Sequence, residues 1–138
     1  MEKITSDLWL DLLGKPYRHL ARGPDAYDCY GLLLEVFRRR GIVIRDYTYT
    51  RNVPGRVDLM NGVIPTYWRR TEIKPGAALL FHQSGDPAHC GMALDLDRFI
   101  HASAGFGQVL VNRLSDQQPA FRRLLVGAYE YKGQDDAV

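Results

Sequence analysis

The feature that most constrains the fold of this chain is a change of sequence pattern at residues 74–76, Lys-Pro-Gly. After this turn come short segments that are apolar or alternate between apolar and polar residues, separated by Gly, Asp and Pro, as β-strands are. The predicted strands cover residues 77–82, 88–94, 98–103, 108–114 and 123–131. Because their connections are too short to hold crossover helices, the pattern predicts an antiparallel sheet of about five strands.

Helical patterns lie before this turn. Residues 7–13 place leucines and Trp9 at helical spacing, which predicts a short first helix. Residues 29–40 form a longer apolar stripe, bounded by Asp28, a good N-cap, and by Gly41, which favours a helix C-terminus. Helices followed by strands predict an α+β fold in which the N-terminal helices pack on one face of the sheet.

The chain between the second helix and the turn has a weaker pattern. Residues 42–50 are rich in β-branched and aromatic types, which predicts a short extended segment. Residues 52–71 are interrupted by proline and glycine and are predicted to be irregular, with one helical turn near residues 57–61.

Composition and charge limit the classes of function. With 138 residues, of which 46% are hydrophobic and 25% charged, the chain is predicted to form a single globular domain over residues 1–138. A net charge of +2 and scattered arginine clusters are typical of a solvated surface, so no nucleic-acid partner is expected. No apolar run approaches the ~20 residues of a membrane span. The N-terminus lacks a signal-peptide pattern, so we expect synthesis in the cytoplasm without membrane insertion.

Cys29 is a candidate nucleophile because it stands in the first turn of the longer predicted helix. The free amides and positive dipole end of a helix stabilise a thiolate, and such sites lower a cysteine pKa from about 8.5 into a range of roughly 3.5–7.5. A cysteine on an apolar helix face is, however, more often a small buried residue without chemistry. Cys90, the other cysteine, fits that simpler interpretation.

A cysteine nucleophile needs a base within hydrogen-bond reach, and this base is usually oriented by a third polar group. In the predicted strand 88–94, alternation places Cys90, Met92 and Leu94 on one face and leaves His89 on a face of small residues. That face has room for an imidazole and a substrate. His89 is therefore the candidate base.

His101 is the candidate orienting residue, and its placement depends on one loop. A three-residue loop at 95–97 would pair Gly91 with His101 and set His101 diagonal to His89, roughly 7–8 Å away between backbones. A four-residue loop would turn the two histidines to opposite faces of the sheet. With the shorter loop, Cys29 would attack a carbonyl, His89 would move its proton and His101 would orient His89.

A metal site is the alternative use of these residue types. Cys29, His82, His89 and His101 are possible zinc ligands, but none of them form a close-spaced pair of the kind that zinc sites use. No metal and no other cofactor is therefore expected. His19 and His82 have no role that the sequence defines.

Several motifs resemble one known family, the NlpC-type cell-wall cysteine peptidases. Residues 28–32, DCYGL, resemble its D-C-[S/W/Y]-G-L motif, and residues 89–94, HCGMAL, resemble its H-V-G-I-Y-L strand. Residues 99–103, FIHAS, resemble a third motif, and residues 74–77 and 14–17 are similar to its P-G-D and G-x-P-Y segments. The matches follow the order of the family.

The resemblance implies a papain-like α+β fold with a catalytic triad of Cys29, His89 and His101. It implies an endopeptidase that cleaves peptidoglycan stem peptides at a D-glutamyl-diaminopimelate type of bond without a metal. Tyr17 matches a family tyrosine near the substrate. Together with Asp28 and Tyr30, beside the cysteine, it is a candidate substrate-contacting residue.

Other features differ from the common family pattern. Residues 19–22, His-Leu-Ala-Arg, replace an aromatic-Gly-Gly segment, and Tyr30 stands where Ser is common. A bulky residue after the cysteine and a bare catalytic domain are similar to members encoded with bacteriophage tail genes, which open the cell wall from the tail tip. This resemblance implies tail-tip proteins as candidate partners, and the virion tail as the location of a phage-encoded chain.

Two other functions stay open at this point. The same triad could serve another amidase or acyltransferase. The fold could also serve as a tail assembly module with weak or absent chemistry.

Overall fold

The structure, a computed structural model, describes residues 4–49, 53–83 and 86–133. Two 3₁₀ turns, Ser6–Leu8 and Leu10–Leu12, are followed by three helices and six strands. The helices are α1 (Cys29–Arg39), α2 (Val53–Tyr67) and α3 (Phe121–Leu124). The strands are β1 (Trp68–Thr71), β2 (Ala78–Gln83), β3 (Asp86–Ala93), β4 (Arg98–Ser103), β5 (Gln108–Arg113) and β6 (Leu125–Tyr131).

All strand pairs are antiparallel, and they form one sheet in the order β1-β6-β2-β3-β4-β5. The predicted α+β fold with an antiparallel sheet is confirmed. The sheet has a sixth strand, β1, which pairs with β6 at its edge, Trp68 opposite Tyr131. Sequence patterns missed β1 because two of its four residues are exposed arginines, which are common on edge strands but carry no apolar alternation.

Helix α1 forms as predicted, and its N-cap is the predicted one. The Asp28 side chain accepts a hydrogen bond from the Gly31 amide at 2.7 Å. At the other end Gly41 has φ +83°, a conformation that glycine adopts without steric cost. Both helix ends are therefore set by local chemistry.

The predicted first helix over residues 7–13 is wrong, because the segment forms two separate 3₁₀ turns. Trp9 lies between them with φ −139° and ψ −10°, outside helical geometry. Each turn is closed by only two backbone hydrogen bonds between residues three apart, such as Trp9 N to Ser6 O at 3.1 Å and Leu13 N to Leu10 O at 3.3 Å. A segment this short gains too few bonds to offset the cost of helix nucleation.

The prediction that residues 52–71 are irregular is wrong, because this segment contains the 15-residue helix α2. Residues 42–49, predicted to be extended, belong to no β-strand, and residue 50 lies outside the described residues. Pro54 falls in the first turn of α2, where its missing amide proton costs no helical bond. Pro65 lies near the other end. Tertiary packing of α2 against the sheet has outweighed its weak local preference.

Two apolar clusters lie on the two faces of the sheet. On one face α1 packs through Leu32, Val36 and Phe37, and the facing sheet residues include Met92 and Ile100. The opposite face carries a smaller aromatic cluster that includes Phe81, Phe99 and Phe121 from α3. The larger helices thus cover one face of the sheet, as predicted, and among the described helices only the short α3 lies on the other.

No helix among the described residues is long and apolar enough to cross a membrane.

Candidate active site

The Asp28 carboxylate anchors the start of α1 from inside the protein. Its Oδ1 accepts from Gly31 N at 2.7 Å and from the Arg22 guanidinium at 2.9 Å. Its Oδ2 accepts from Leu20 N at 2.9 Å and from the Tyr49 hydroxyl. These four bonds fill the acceptor sites of a carboxylate that is fully buried. The arrangement argues against the substrate contact expected for Asp28, because no oxygen faces a cleft.

Cys29 is the first residue of α1, and its thiol is almost fully buried. Hydrogen bonds from the Cys90 thiol and from His89 lower the Cys29 pKa well below its usual value, although burial alone would raise it. Through the same contact, Cys29 raises the Cys90 pKa well above its usual value. Of the two thiols, Cys29 is therefore the one that loses its proton more readily, and Cys90 is the donor in their contact.

The β3–β4 hairpin has the predicted register. Met92 lies opposite Ile100 and Ala93 opposite Phe99, which corresponds to the three-residue loop at 95–97. His89 Nε2 and His101 Nδ1 are 2.7 Å apart. The prediction that this loop brings the two histidines together on one face is confirmed.

Gly91 allows this close approach of the two strands. A Cβ atom at this position would lie 2.7 Å from the Ile100 carbonyl oxygen and 3.0 Å from the His101 Cβ. Real Cβ atoms do not make contacts as close as the first of these. Position 91 must therefore be occupied by glycine.

His101 is held as a neutral imidazole. It is 1% exposed, and burial together with the charge of His89 lowers its pKa to about 3. The rings that contact it are aromatic: the centroid of the His101 ring lies 4.7 Å from that of Phe99 and 5.5 Å from that of Phe121. Its other nitrogen, Nε2, lies 2.8 Å from Asn112 Oδ1.

Asn112 is a residue that the sequence analysis missed. It lies on β5, and its Nδ2 donates to Asp116 Oδ2 at 3.1 Å. In the β4–β5 register His101 lies opposite Leu110, so Asn112 is the diagonal neighbour of His101 on the same face. A polar residue in the otherwise apolar run 109–112 was the available signal, but its partner depends on the register of β5.

Two clefts meet at Cys29. The first, which we call the histidine cleft, has a volume of about 680 Å³ including its open mouth. Its walls include Tyr17, Cys29, His82, His89 and His101. It therefore combines the thiol with both histidines of the predicted triad and with the tyrosine expected near substrate.

Backbone bonds place Tyr17 beside the start of α1. The Tyr17 amide donates to the Gly107 carbonyl at 3.0 Å, and the Tyr27 amide donates to the Pro16 carbonyl at 3.0 Å. The loop that carries Tyr17 is thus tied both to the end of the sheet and to the residues just before Cys29.

The second cleft, which we call the apolar cleft, has a volume of about 670 Å³ including its open mouth. Apolar and aromatic side chains form its walls, among them Cys29, Tyr30, Cys90 and, from α2, Val63 and Ile64. Tyr30 therefore lies in this cleft and not in the histidine cleft. Its hydroxyl donates to the Arg45 carbonyl, and burial raises its pKa.

His19 lies away from the two clefts. His19 contacts the Tyr49 carbonyl at 3.2 Å, and it does not line either of the two clefts. Within the described ranges, no group of three His, Cys, Asp or Glu side chains is arranged to hold a metal ion.

Residues 14–127 match the sequence profile of the NlpC/P60 family. The chain belongs to the NlpC/P60 family. Among curated proteins, this NlpC/P60 chain is 27% identical over 115 residues to dipeptidyl-peptidase 6 of Lysinibacillus sphaericus. The match covers 83% of the chain and 37% of that protein, so the chain spans well under half the length of this relative.

Solved NlpC/P60 structures share the fold. The NlpC/P60 domain of the peptidoglycan hydrolase SagA is 22% identical, with a TM-score of 0.61, and the match covers 90% of this chain and 93% of that domain. A lipoprotein-like NLP/P60 protein of Staphylococcus aureus is 21% identical with a TM-score of 0.62, covering 92% of this chain and 40% of that one. NlpC2 of Trichomonas vaginalis is 23% identical with a TM-score of 0.59, covering 92% of this chain and 43% of that one.

Proposed function

We propose that this protein is a cysteine peptidase that hydrolyses the stem peptides of peptidoglycan. One observation carries the proposal: Cys29, His89 and His101 form a continuous chain of contacts along one cleft, with the Cys29 pKa depressed. Family membership supports the peptidase chemistry. Two relatives, a dipeptidyl-peptidase and a peptidoglycan hydrolase, support the substrate class.

The proposed reaction follows from what each group can do. His89 takes the Cys29 proton, and the resulting thiolate attacks the carbonyl carbon of the scissile amide. The positive end of α1 stabilises the oxyanion that forms. Protonated His89 gives its proton to the leaving amine, and a thioester with the peptide remains on Cys29. His89 then takes a proton from water, which attacks the thioester and releases the free acid. His101 stays neutral and keeps His89 oriented.

The finer assignment rests on the resemblance of the motifs. We infer a D-glutamyl-diaminopimelate type of bond as the cleaved bond, and Tyr17 as a residue that contacts the peptide in the histidine cleft. The bulky Tyr30 after the nucleophile supports a place among phage-tail enzymes, with tail-tip proteins as partners and the virion tail as location. Detection of the protein in purified virions, and its loss from tail-less particles, would test that placement.

The test of the enzyme proposal compares the wild-type protein with Cys29→Ala on purified peptidoglycan, with released muropeptides identified by mass. We expect fragments from the wild type alone. His89→Ala should abolish release, and His101→Ala should reduce it less, because an orienting group contributes less than the base. Equal release by wild type and Cys29→Ala would overturn the proposal. No release, together with a Cys29 that a thiol probe does not label, would favour an assembly role.

The apolar cleft favours a second candidate function. Its walls reach Cys29 and present aromatic and aliphatic side chains to whatever enters. A stem peptide carries several charged groups, whereas an apolar acyl group would match this surface. The second candidate is therefore an amidase or acyltransferase that uses the same thiol on an apolar acyl donor. Faster acylation of Cys29 by long-chain than by acetyl thioesters, with no muropeptide release, would favour it.

A further inference from the structure

A chain of hydrogen bonds continues beyond the two histidines to a carboxylate at the end of β5. Asp116 Oδ2 accepts from Asn112 Nδ2 at 3.1 Å, and Asn112 Oδ1 lies 2.8 Å from His101 Nε2. His101 Nδ1 in turn lies 2.7 Å from His89 Nε2. Four side chains are thus linked end to end: His89 on β3, His101 on β4, Asn112 on β5 and Asp116 in the turn that follows β5.

The carboxylate sets the direction of every bond in this chain. An ionised carboxylate can only accept, so the Asn112 group that faces Asp116 must be the amide NH₂. The Asn112 oxygen then faces His101, and His101 must carry its proton on Nε2 to donate to it. Its Nδ1 is left as an acceptor, which requires His89 to carry a proton on Nε2. The His89 nitrogen that remains for the thiol is Nδ1, with a free lone pair.

Asp116 is itself held in place by the backbone. Its Oδ2 also accepts from the Arg113 amide at 2.9 Å, and its own amide donates to the Arg113 carbonyl at 3.0 Å. This turn fixes the carboxylate relative to β5, and so it fixes the orientation of the Asn112 amide.

We propose that Asn112 and Asp116 are positioning residues that fix the proton on His101 Nε2 and thereby keep His89 Nδ1 free to take the Cys29 proton. The role given to His89 rests on the proposed function, whereas the proton positions can be measured without a substrate. Without the Asn112 oxygen, His101 can carry its proton on Nδ1 and donate it to His89 Nε2. His89 then holds its own proton on Nδ1, and it can no longer accept one from the thiol.

The direct test is the tautomer of His101 in the resting protein, read from the ring ¹⁵N shifts of histidine-labelled samples. His19→Gln and His82→Gln variants remove the other two signals for assignment. We expect the Nε2–H form of His101 in the wild type, and a population of the Nδ1–H form in Asn112→Leu. A folded Asn112→Leu protein whose His101 stays fully in the Nε2–H form would overturn the proposal.

A swapped double variant guards against a merely structural effect. Asn112→Asp together with Asp116→Asn keeps a hydrogen-bond acceptor facing His101. The hydrogen bond between positions 112 and 116 is also kept, but its donor is now at position 116. We expect this double variant to restore the Nε2–H form that Asp116→Ala alone weakens. If the double variant and Asp116→Ala show the same tautomer mixture, hydrogen-bond direction does not determine the proton position, and the proposal fails.

The second readout is the rate at which iodoacetamide alkylates Cys29, measured by peptide mass so that Cys90 is scored separately. We expect Asn112→Leu to slow this rate roughly tenfold, as loss of one oriented hydrogen bond allows, and the double variant to recover it. Ser115→Ala is the matched control, because Ser115 lies in the same turn but donates to Asp97 instead. Slowing by Ser115→Ala equal to that by Asn112→Leu would contradict the proposal. Neither readout depends on peptidoglycan cleavage.

Discussion

The Cys29 and Cys90 thiols share a hydrogen bond where the first residue of α1 meets β3. This bond is the largest cause of the lowered Cys29 pKa, ahead of the contact with His89. Cys90 therefore has a chemical role that a small buried residue would not need. It stabilises negative charge on Cys29 by donating a hydrogen bond to it.

The first prediction concerns this donor. Replacing Cys90 with Val, an apolar side chain somewhat larger than that of Cys, removes the hydrogen bond, so we expect the Cys29 pKa to rise toward its usual value. The pH dependence of iodoacetamide labelling at Cys29 measures this pKa. Below the new pKa the variant holds less thiolate than the wild type, and it should react more slowly.

Cys90→Ser is the matched control for that measurement. Its hydroxyl can still donate to the thiolate, so the Cys29 pKa should rise less in Cys90→Ser than in Cys90→Val. An unchanged or lower Cys29 pKa in Cys90→Val would contradict the assigned direction of the bond.

The second prediction concerns the buried anchor of α1. Asp28→Ala removes an N-cap and leaves the Arg22 guanidinium without its buried partner, which should lower the free energy of unfolding by about 3 kcal/mol. Asp46→Ala removes the more exposed partner of the same arginine and should cost less than about 1 kcal/mol. Urea unfolding of both variants measures the difference. Similar losses in the two would show that burial of Asp28 is energetically unimportant.

How far the sequence predicts this site depends on whether a feature is local. The capped start of α1 follows from Asp28 and Cys29 alone, and the contact between His89 and His101 follows from the length of one hairpin loop. Asn112 could not be found this way. Its partner is decided by the pairing of β5 with β4, and its role also requires Asp116 in the following turn.

The failed predictions have a similar physical basis. Helix α2 was missed because Pro54, Gly62 and Pro65 interrupt its pattern, while its stability comes from side chains such as Val63 and Ile64 that pack on the rest of the fold. The first predicted helix has the leucine spacing of a helix, but its backbone is not helical at Trp9, whose side chain is buried.

The third prediction tests the contact between β3 and β4. A Cβ in Gly91→Ala would lie 2.7 Å from the Ile100 carbonyl, so the strands must separate, at a cost of about 1–3 kcal/mol. The wider spacing should also weaken the His89–His101 bond and slow Cys29 alkylation. Gly62→Ala is the control, because nothing lies within 4 Å of its added Cβ and it sits inside α2. We expect it to be neutral or to stabilise by up to about 1 kcal/mol. Equal stability of Gly91→Ala and wild type would contradict the predicted clash.

The last prediction follows from the burial of His101 as a neutral ring. Its pKa falls from 6.5 to about 3 in the folded protein, so between these values the unfolded chain binds a proton that the folded protein does not. The contribution of this group is therefore fully present above pH 6.5 and is lost as the pH falls toward 3. Between pH 7 and pH 5 the loss amounts to about 2 kcal/mol of unfolding free energy.

Urea unfolding of wild type and His101→Asn at pH 7 and pH 5 isolates this term, because the carboxylates that also titrate are common to both proteins. The wild type should lose about 2 kcal/mol more than the variant over this interval, since Asn does not titrate. Parallel losses in the two proteins would mean that His101 is protonated at pH 5 in the folded state. A charged His101 could not accept the bond from His89, so the same measurement also tests the orientation of the proposed base.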